Sequence, residues 1–149
     1  MTIAPGRRWL LATFTALLAV VLLRPLIAGA LCVRGDEFLR SGDPVTAQHY
    51  YRFAVAGDPD SETAAERFVF AALEIHASPA LAAGIKVADS YLLRHDDEAI
   101  RIDRALALWS INDLARAAKE LRVVAALTHD RRYARLAQIA SSRAARLRE

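Results

Sequence analysis

Cysteine is almost missing from this 149-residue chain: Cys32 stands alone, which excludes an intrachain disulfide framework and a cysteine-based zinc site. The four histidines are the remaining soft ligands, and no two of them are spaced as a helical metal pair. Six Gly and five Pro are too few for a collagen-like or low-complexity chain, and 54% apolar with 25% charged residues excludes wholesale disorder. Acid is missing from one region only. Residues 1–33 hold Arg7, Arg8 and Arg24 but no Asp or Glu, so residues 34–149 carry 17 charges of each sign. The net charge of +3 therefore belongs to the N-terminal segment, and no nucleic-acid partner is expected. Length allows one domain with an appendage.

What the N-terminal segment does have is a long apolar run. After Arg7 and Arg8, residues 9–23 read WLLATFTALLAVVLL; Arg24 and Pro25 interrupt, and LIAGALCV continues to Val33. The stretch from Trp9 to Val33 is 25 residues long, enough to cross a bilayer that needs about 20. Arg24 lies late enough in it for its charge to snorkel toward the far headgroups. Two basic residues before the run, with Trp9 at the interface, orient the N-terminus to the cytoplasm and residues 34–149 outside it. The same residues also fit a signal peptide cleaved after Ala30, at Ala28-Gly29-Ala30, which would release a soluble secreted or periplasmic protein. A lipoprotein signal is disfavoured because Leu31, not a small residue, precedes Cys32. The uncleaved anchor is the expectation, because residues with structural roles begin within and just after the segment that cleavage would remove.

Those residues are Gly35, Phe38, Gly42-Asp43, Ala47, Tyr51, Ala54 and Asp58-Pro59. Small residues at 35 and 47 allow two antiparallel helices to cross closely, Phe38 and Tyr51 fill the space beside them, and Pro59 cannot continue the helix it follows. In spacing and type the stretch resembles the tetratricopeptide repeat, with its two small residues, two aromatics, Gly-Asp turn and closing Asp-Pro. The resemblance implies a short α-solenoid of helix pairs over residues 34–149, behind a membrane segment over residues 1–33. Later pairs are degenerate: Ala71, Ala83 and Ser90 fit the second, Ala105 and Ala117 the third, with Val87 and Leu121 in place of the aromatic and His95 and His129 near the missing Pro.

Capping signals at Asp60-Ser61, Ser78-Pro79, Asp96-Asp97-Glu98 and Asn112-Asp113, together with helical periodicity, predict an all-α chain. Helices are expected near 8–41, 44–56, 60–77, 79–94, 97–111, 113–128 and 130–148, with no strand. The last should cap the array through a stripe of Tyr133, Leu136, Ala140, Ala144 and Leu147, its arginines facing solvent.

Signature loops for nucleotides, the zinc-protease helix and the nucleophile elbow are all missing from the sequence, so neither catalysis, a cofactor, a metal nor a small-molecule substrate is expected. Cys32 reads as a small buried hydrophobe. By the resemblance, a protein or peptide partner would lie in a groove lined by the first helix of each pair. The register places Asp36, Leu39 and Arg40 there, then Phe68, Ala72, Ile75 and His76, then Ile102, Leu106 and Trp109. The strongest of these for a partner are Leu39, Phe68, Ile75, Ile102, Leu106 and Trp109, an apolar strip of the kind that marks an interface. The functional expectation is a membrane-anchored scaffold or adaptor in a cell-envelope complex.

Overall fold

The computed structural model describes residues 5–147, and among these every regular element is an α-helix. There are seven: α1 (Pro5–Arg40), α2 (Pro44–Gly57), α3 (Glu62–Ile75), α4 (Ser78–Leu92), α5 (Glu98–Ser110), α6 (Leu114–Thr128) and α7 (Arg131–Arg146). Each end lies within three residues of its expected position. Capping explains this agreement. Asp43, Ser61, Asp97, Asp113 and Asp130 each accept a hydrogen bond from a backbone N–H of the following first turn, at 2.8–3.3 Å. At the other ends, Gly42 turns the chain at φ +82°, while His76, Asn112 and His129 adopt left-handed conformations that non-glycine residues seldom take.

Each helix packs on the next one in the chain, and α1 also meets α3, as α3 meets α5. The pairing of Gly35 and Asp36 with Tyr51 across the turn at 41–43 makes α1 and α2 antiparallel. Ala72 against Gly84 does the same for α3 and α4, and Arg101 against Glu120 for α5 and α6.

The boundary expected at residue 33 falls inside α1, which continues unbroken through Pro25 to Arg40. Its two halves differ in environment rather than in shape. Leu22, Leu23, Leu26 and Ile27 are exposed, whereas Ala28 and Cys32 are buried with Ala47, Tyr51 and Ala54 of α2 in the first core cluster. By length and composition α1 can cross a membrane. Residues 9–12, 16 and 17 of the apolar run contribute backbone only to this description.

Small residues run through the core. Ala47, Ala54, Ala64, Ala71, Ala72, Ala88 and Ala117 are all inaccessible, so helix axes approach closely, and a few large side chains such as Tyr51, Leu81, Ile100 and Leu108 fill the gaps. The repeat-defining residues of the first pair lie here: Gly35, Ala47, Tyr51 and Ala54 are buried, Phe38 packs at the edge and stacks on Tyr50 at 5.3 Å, and Pro59 follows the end of α2. Two register details differ from expectation. In the second pair, the closest approach is Ala72 to Gly84, one residue beyond the expected Ala71 and Ala83. A Cβ on Gly84 would lie 2.9 Å from that of Ala72, and the buried stripe continues through Ala88 and Tyr91 rather than Val87 and Ser90. In α7 the buried contacts are Ala137 and Ala140, flanked by Tyr133 and Ala144, while Leu136 and Leu147 are exposed. Alanines let α7 approach α6 more closely than a leucine stripe would allow.

Two glycines on α1 give opposite expectations. A Cβ on Gly35 would run into the buried Tyr51 ring, whereas Gly29 has open space around it. Gly35→Ala should therefore destabilise the body by about 1–3 kcal/mol through overpacking. Gly29→Ala should be neutral or slightly stabilising. Thermal unfolding of both variants in the same bilayer mimetic checks this; equal midpoints would refute the close crossing.

Candidate partner-binding site

A cavity of about 600 Å³ lies between α2, α3 and α4. One side of α2 supplies Val45, Gln48, His49 and Arg52, which are spaced i, i+3, i+4 and i+7 and so share one stripe. Phe68 and Ile75 of α3 form the floor, and the first turn of α4, from Ala77 through Ala80 to Ala83, closes the far wall. Mostly apolar walls with a few polar groups are the usual make-up of a binding pocket of this size.

Of the six strongest partner-binding candidates, the structure brings only Phe68 and Ile75 to this cavity. Phe68 is also a core residue, 3% exposed, so it offers little beyond the floor. Leu39 packs against the first core cluster. Ile102 is half-buried on α5 and Leu106 is 44% exposed. Trp109 packs against two core clusters, with Tyr133 of α7 beside one of them and the Arg143 guanidinium 5.8 Å from its ring centre. Trp109 thus belongs to the joint between α5, α6 and α7. The remaining groove positions are partly committed elsewhere: Asp36 accepts a hydrogen bond from the Tyr51 hydroxyl at 2.6 Å and pairs with Arg67 at 3.3 Å, and Ala72 is the contact for Gly84. His76 and Arg40 are exposed.

Reading the register of first helices missed the α2 stripe. Its signal was in the sequence, because Val45, His49 and Arg52 repeat at helical spacing on a face that has no role in the close crossing at Ala47 and Tyr51.

Charge is organised away from the cavity. Glu120, 7% exposed, pairs with Arg104 at 3.1 Å and Arg101 at 3.4 Å, and Arg104 reaches Asp89 on α4 at 2.6 Å. The Asp89 contact is one of charge alone, since neither that carboxylate oxygen nor the Arg104 Nε has a properly directed hydrogen bond. Arg94 ties the α4–α5 loop to the α2–α3 loop through Asp60 and the Pro59 carbonyl, both at 2.8 Å, and His95 reaches the same Asp60 carboxylate at 3.1 Å. These bonds hold the Asp60 carboxyl below its usual range. Asp103 has the opposite environment. Burial, and then the nearby charges of Glu66 and Asp97, push its carboxyl up to about 6. No group of three or more His, Cys, Asp or Glu among the described residues is arranged to hold a metal ion.

The chain matches no family model, no curated protein and no solved structure.

The Asp103 environment has a pH signature. Its folded-state pKa is raised above the unfolded value, so its charge opposes folding at neutral pH, and that opposition disappears as pH falls through about 6 and below the unfolded value. Asp103→Asn should raise stability near pH 8 by about 1–2 kcal/mol, with the gain shrinking toward zero near pH 4. Unfolding midpoints of the two proteins across that range provide the check. A constant difference would mean that the carboxyl is not strained.

Proposed function

We propose that this chain is a single-pass membrane protein whose body, a tetratricopeptide-like array of helix pairs, serves as a non-catalytic scaffold for a protein partner in a cell-envelope complex. One observation supports the anchor more than any other. A single unbroken helix is exposed and mostly apolar from Leu18 to Ile27, 56% exposed, and makes its first core contacts at Ala28, 1% exposed, and Cys32, with Val33 still exposed between the core positions and the charged end. An exposed apolar surface of that length suits an apolar solvent, which supports the anchor. Arg7 and Arg8 precede it and orient the N-terminus to the cytoplasm, leaving residues 34–149 extracytoplasmic.

Release of a soluble body by cleavage after Ala30 is the competing reading. It would remove Ala28 from the first core cluster and make Leu31 the new chain end, directly before the buried Cys32. The anchor avoids that loss. The scaffold reading rests on the nearest-neighbour helix packing and on apolar side chains left exposed on the body, including Phe53, Phe70 and Leu106.

Isolated membranes provide the test. The intact chain should resist carbonate extraction, protease added from the extracytoplasmic side should digest the body, and a photocrosslinking residue in place of Leu106 should yield discrete adducts with a second protein. Carbonate release of a full-length chain would refute the anchor, and protection of the body would reverse the orientation. Absence of adducts from both Leu106 and Phe53 would refute the scaffold.

A further inference from the structure

Alternation of the helices gives the body two ends, and one of them lies beside the apolar part of α1. Gly35 faces Tyr51, and Cys32 clusters with Ala54, so α2 runs back along α1. Continued at about 1.5 Å per residue on both helices, that register brings the end of α2 at Asp58 level with Ala28, one turn beyond Arg24. The turn at 58–61 is therefore level with the last exposed apolar side chains before the core, Leu26 and Ile27. The α4–α5 connection is held at the same end, because Arg94 bonds Asp60 and the Pro59 carbonyl. Ala65, Tyr91 and Ile100, from the start of α3, the end of α4 and the start of α5, share one core cluster there. The turns at 41–43, 76–77 and 111–113 lie at the opposite end. α7, antiparallel to α6 through the Arg122–Ser141 bond, starts at the first end and finishes at the other, about 24 Å along its axis.

Leu93 stands at the first end, next to Arg94, and at 86% it is more exposed than any other large apolar side chain among the described residues. It joins none of the core clusters. We infer that this end of the body docks on the outer leaflet of the bilayer that α1 crosses, with Leu93 inserted among the outermost acyl chains. Charge sets the depth. Asp60 is paired with Arg94, and Asp96 of the same connection with Arg101 at 2.9 Å, so both enter the headgroup layer compensated. Asp58, Glu62 and Glu98 have no cation partner among the described residues, and their need for water keeps the loops from sinking below that layer. Arg24, one turn below Ala28, reaches the same layer by snorkelling. A protein partner or a second copy would account for an exposed Leu93 but not for its level beside Leu26 and Ile27. The inference rests on the reading of α1 as a membrane anchor and deepens it. The body lies against the leaflet, and the cavity lined by Val45, Ile75 and Pro79 opens at the far end, clear of lipid.

The test uses the purified full chain in phosphatidylcholine nanodiscs, with a diazirine amino acid in place of Leu26, Leu93 or Leu147, one at a time. All three positions are exposed, so the replacements leave the core intact, and Leu147, 67% exposed at the end of α7, separates depth from mere exposure. After irradiation, phosphatidylcholine adducts are counted by mass spectrometry of the intact chain. Adducts at Leu26 report the anchor. Those at Leu93 should approach the Leu26 yield and exceed the Leu147 yield about tenfold, because insertion at the acyl boundary brings the diazirine against lipid. Lipid adducts at Leu26 with none at Leu93 would overturn this inference and leave the anchor standing. Equal yields at Leu93 and Leu147 would also overturn it, as would adducts at Leu93 that join two copies of the chain. Absence of lipid adducts at Leu26 would refute the anchor, and the docking with it.

Discussion

The body is joined to the apolar half of α1 through one close approach, Gly35 against the ring of Tyr51. The absence of a side chain at residue 35 lets α2 lie close enough for that ring to be buried completely. A buried phenol must donate its proton to something, and here the acceptor is Asp36, the next residue on the same helix. Asp36 in turn pairs with Arg67, so three helices meet at one polar node inside an otherwise apolar contact. Burial, reinforced by the bond to Asp36, holds the Tyr51 phenol protonated well above the usual tyrosine range. The node resists slippage of α1 along α2, because a shift of one residue would bury the Asp36 carboxylate without its donor.

Beyond that node the array has little long-range support. Each helix depends on the one before it, with α1–α3 and α3–α5 as the additional ties, so order is passed along the chain in the manner of quasi-one-dimensional folds. A second polar node holds the distal half. Glu120 is nearly inaccessible and pairs with Arg101 and Arg104, and Arg104 also draws α4 in through Asp89. Removing one partner of such a pair costs more than the pair itself contributes, so the node fixes how the helices meet more than how tightly they hold.

The parts of this architecture that are legible in the sequence are those carried by local chemistry. Asp43, Ser61, Asp97 and Asp113 mark helix starts by a hydrogen bond within their own turn, and the charge-free run up to Leu23 shows by composition alone that α1 is apolar enough to span a membrane. Register in an alanine-rich hairpin is different. Ala71, Ala72, Ala82 and Ala83 look alike, and the choice of Gly84 as the crossing point depends on how α3 and α4 settle against α5. The same limit explains α7, where Leu136 looked like a core residue and Ala137 took the place. It also explains the candidate site: helical spacing showed which side chains share a face but not which neighbour covers that face, and so Trp109 is covered near α7 while the stripe of Val45, His49 and Arg52 stays open. Ion pairs 19 to 35 residues apart, such as Arg101–Glu120 and Arg94–Asp60, leave no trace in local pattern.

The central claim is that the apolar segment proposed to span the membrane and the body share one continuous helix, with no hinge between them. Hydrogen–deuterium exchange of the full chain in lipid nanodiscs, followed by residue across 24–40, measures this directly. A single rigid helix predicts slow exchange throughout, with protection passing unbroken from the lipid-covered residues to those covered by α2. A fast-exchanging window between Ile27 and Arg34 would contradict it and make the anchor a tether to an independently mobile body.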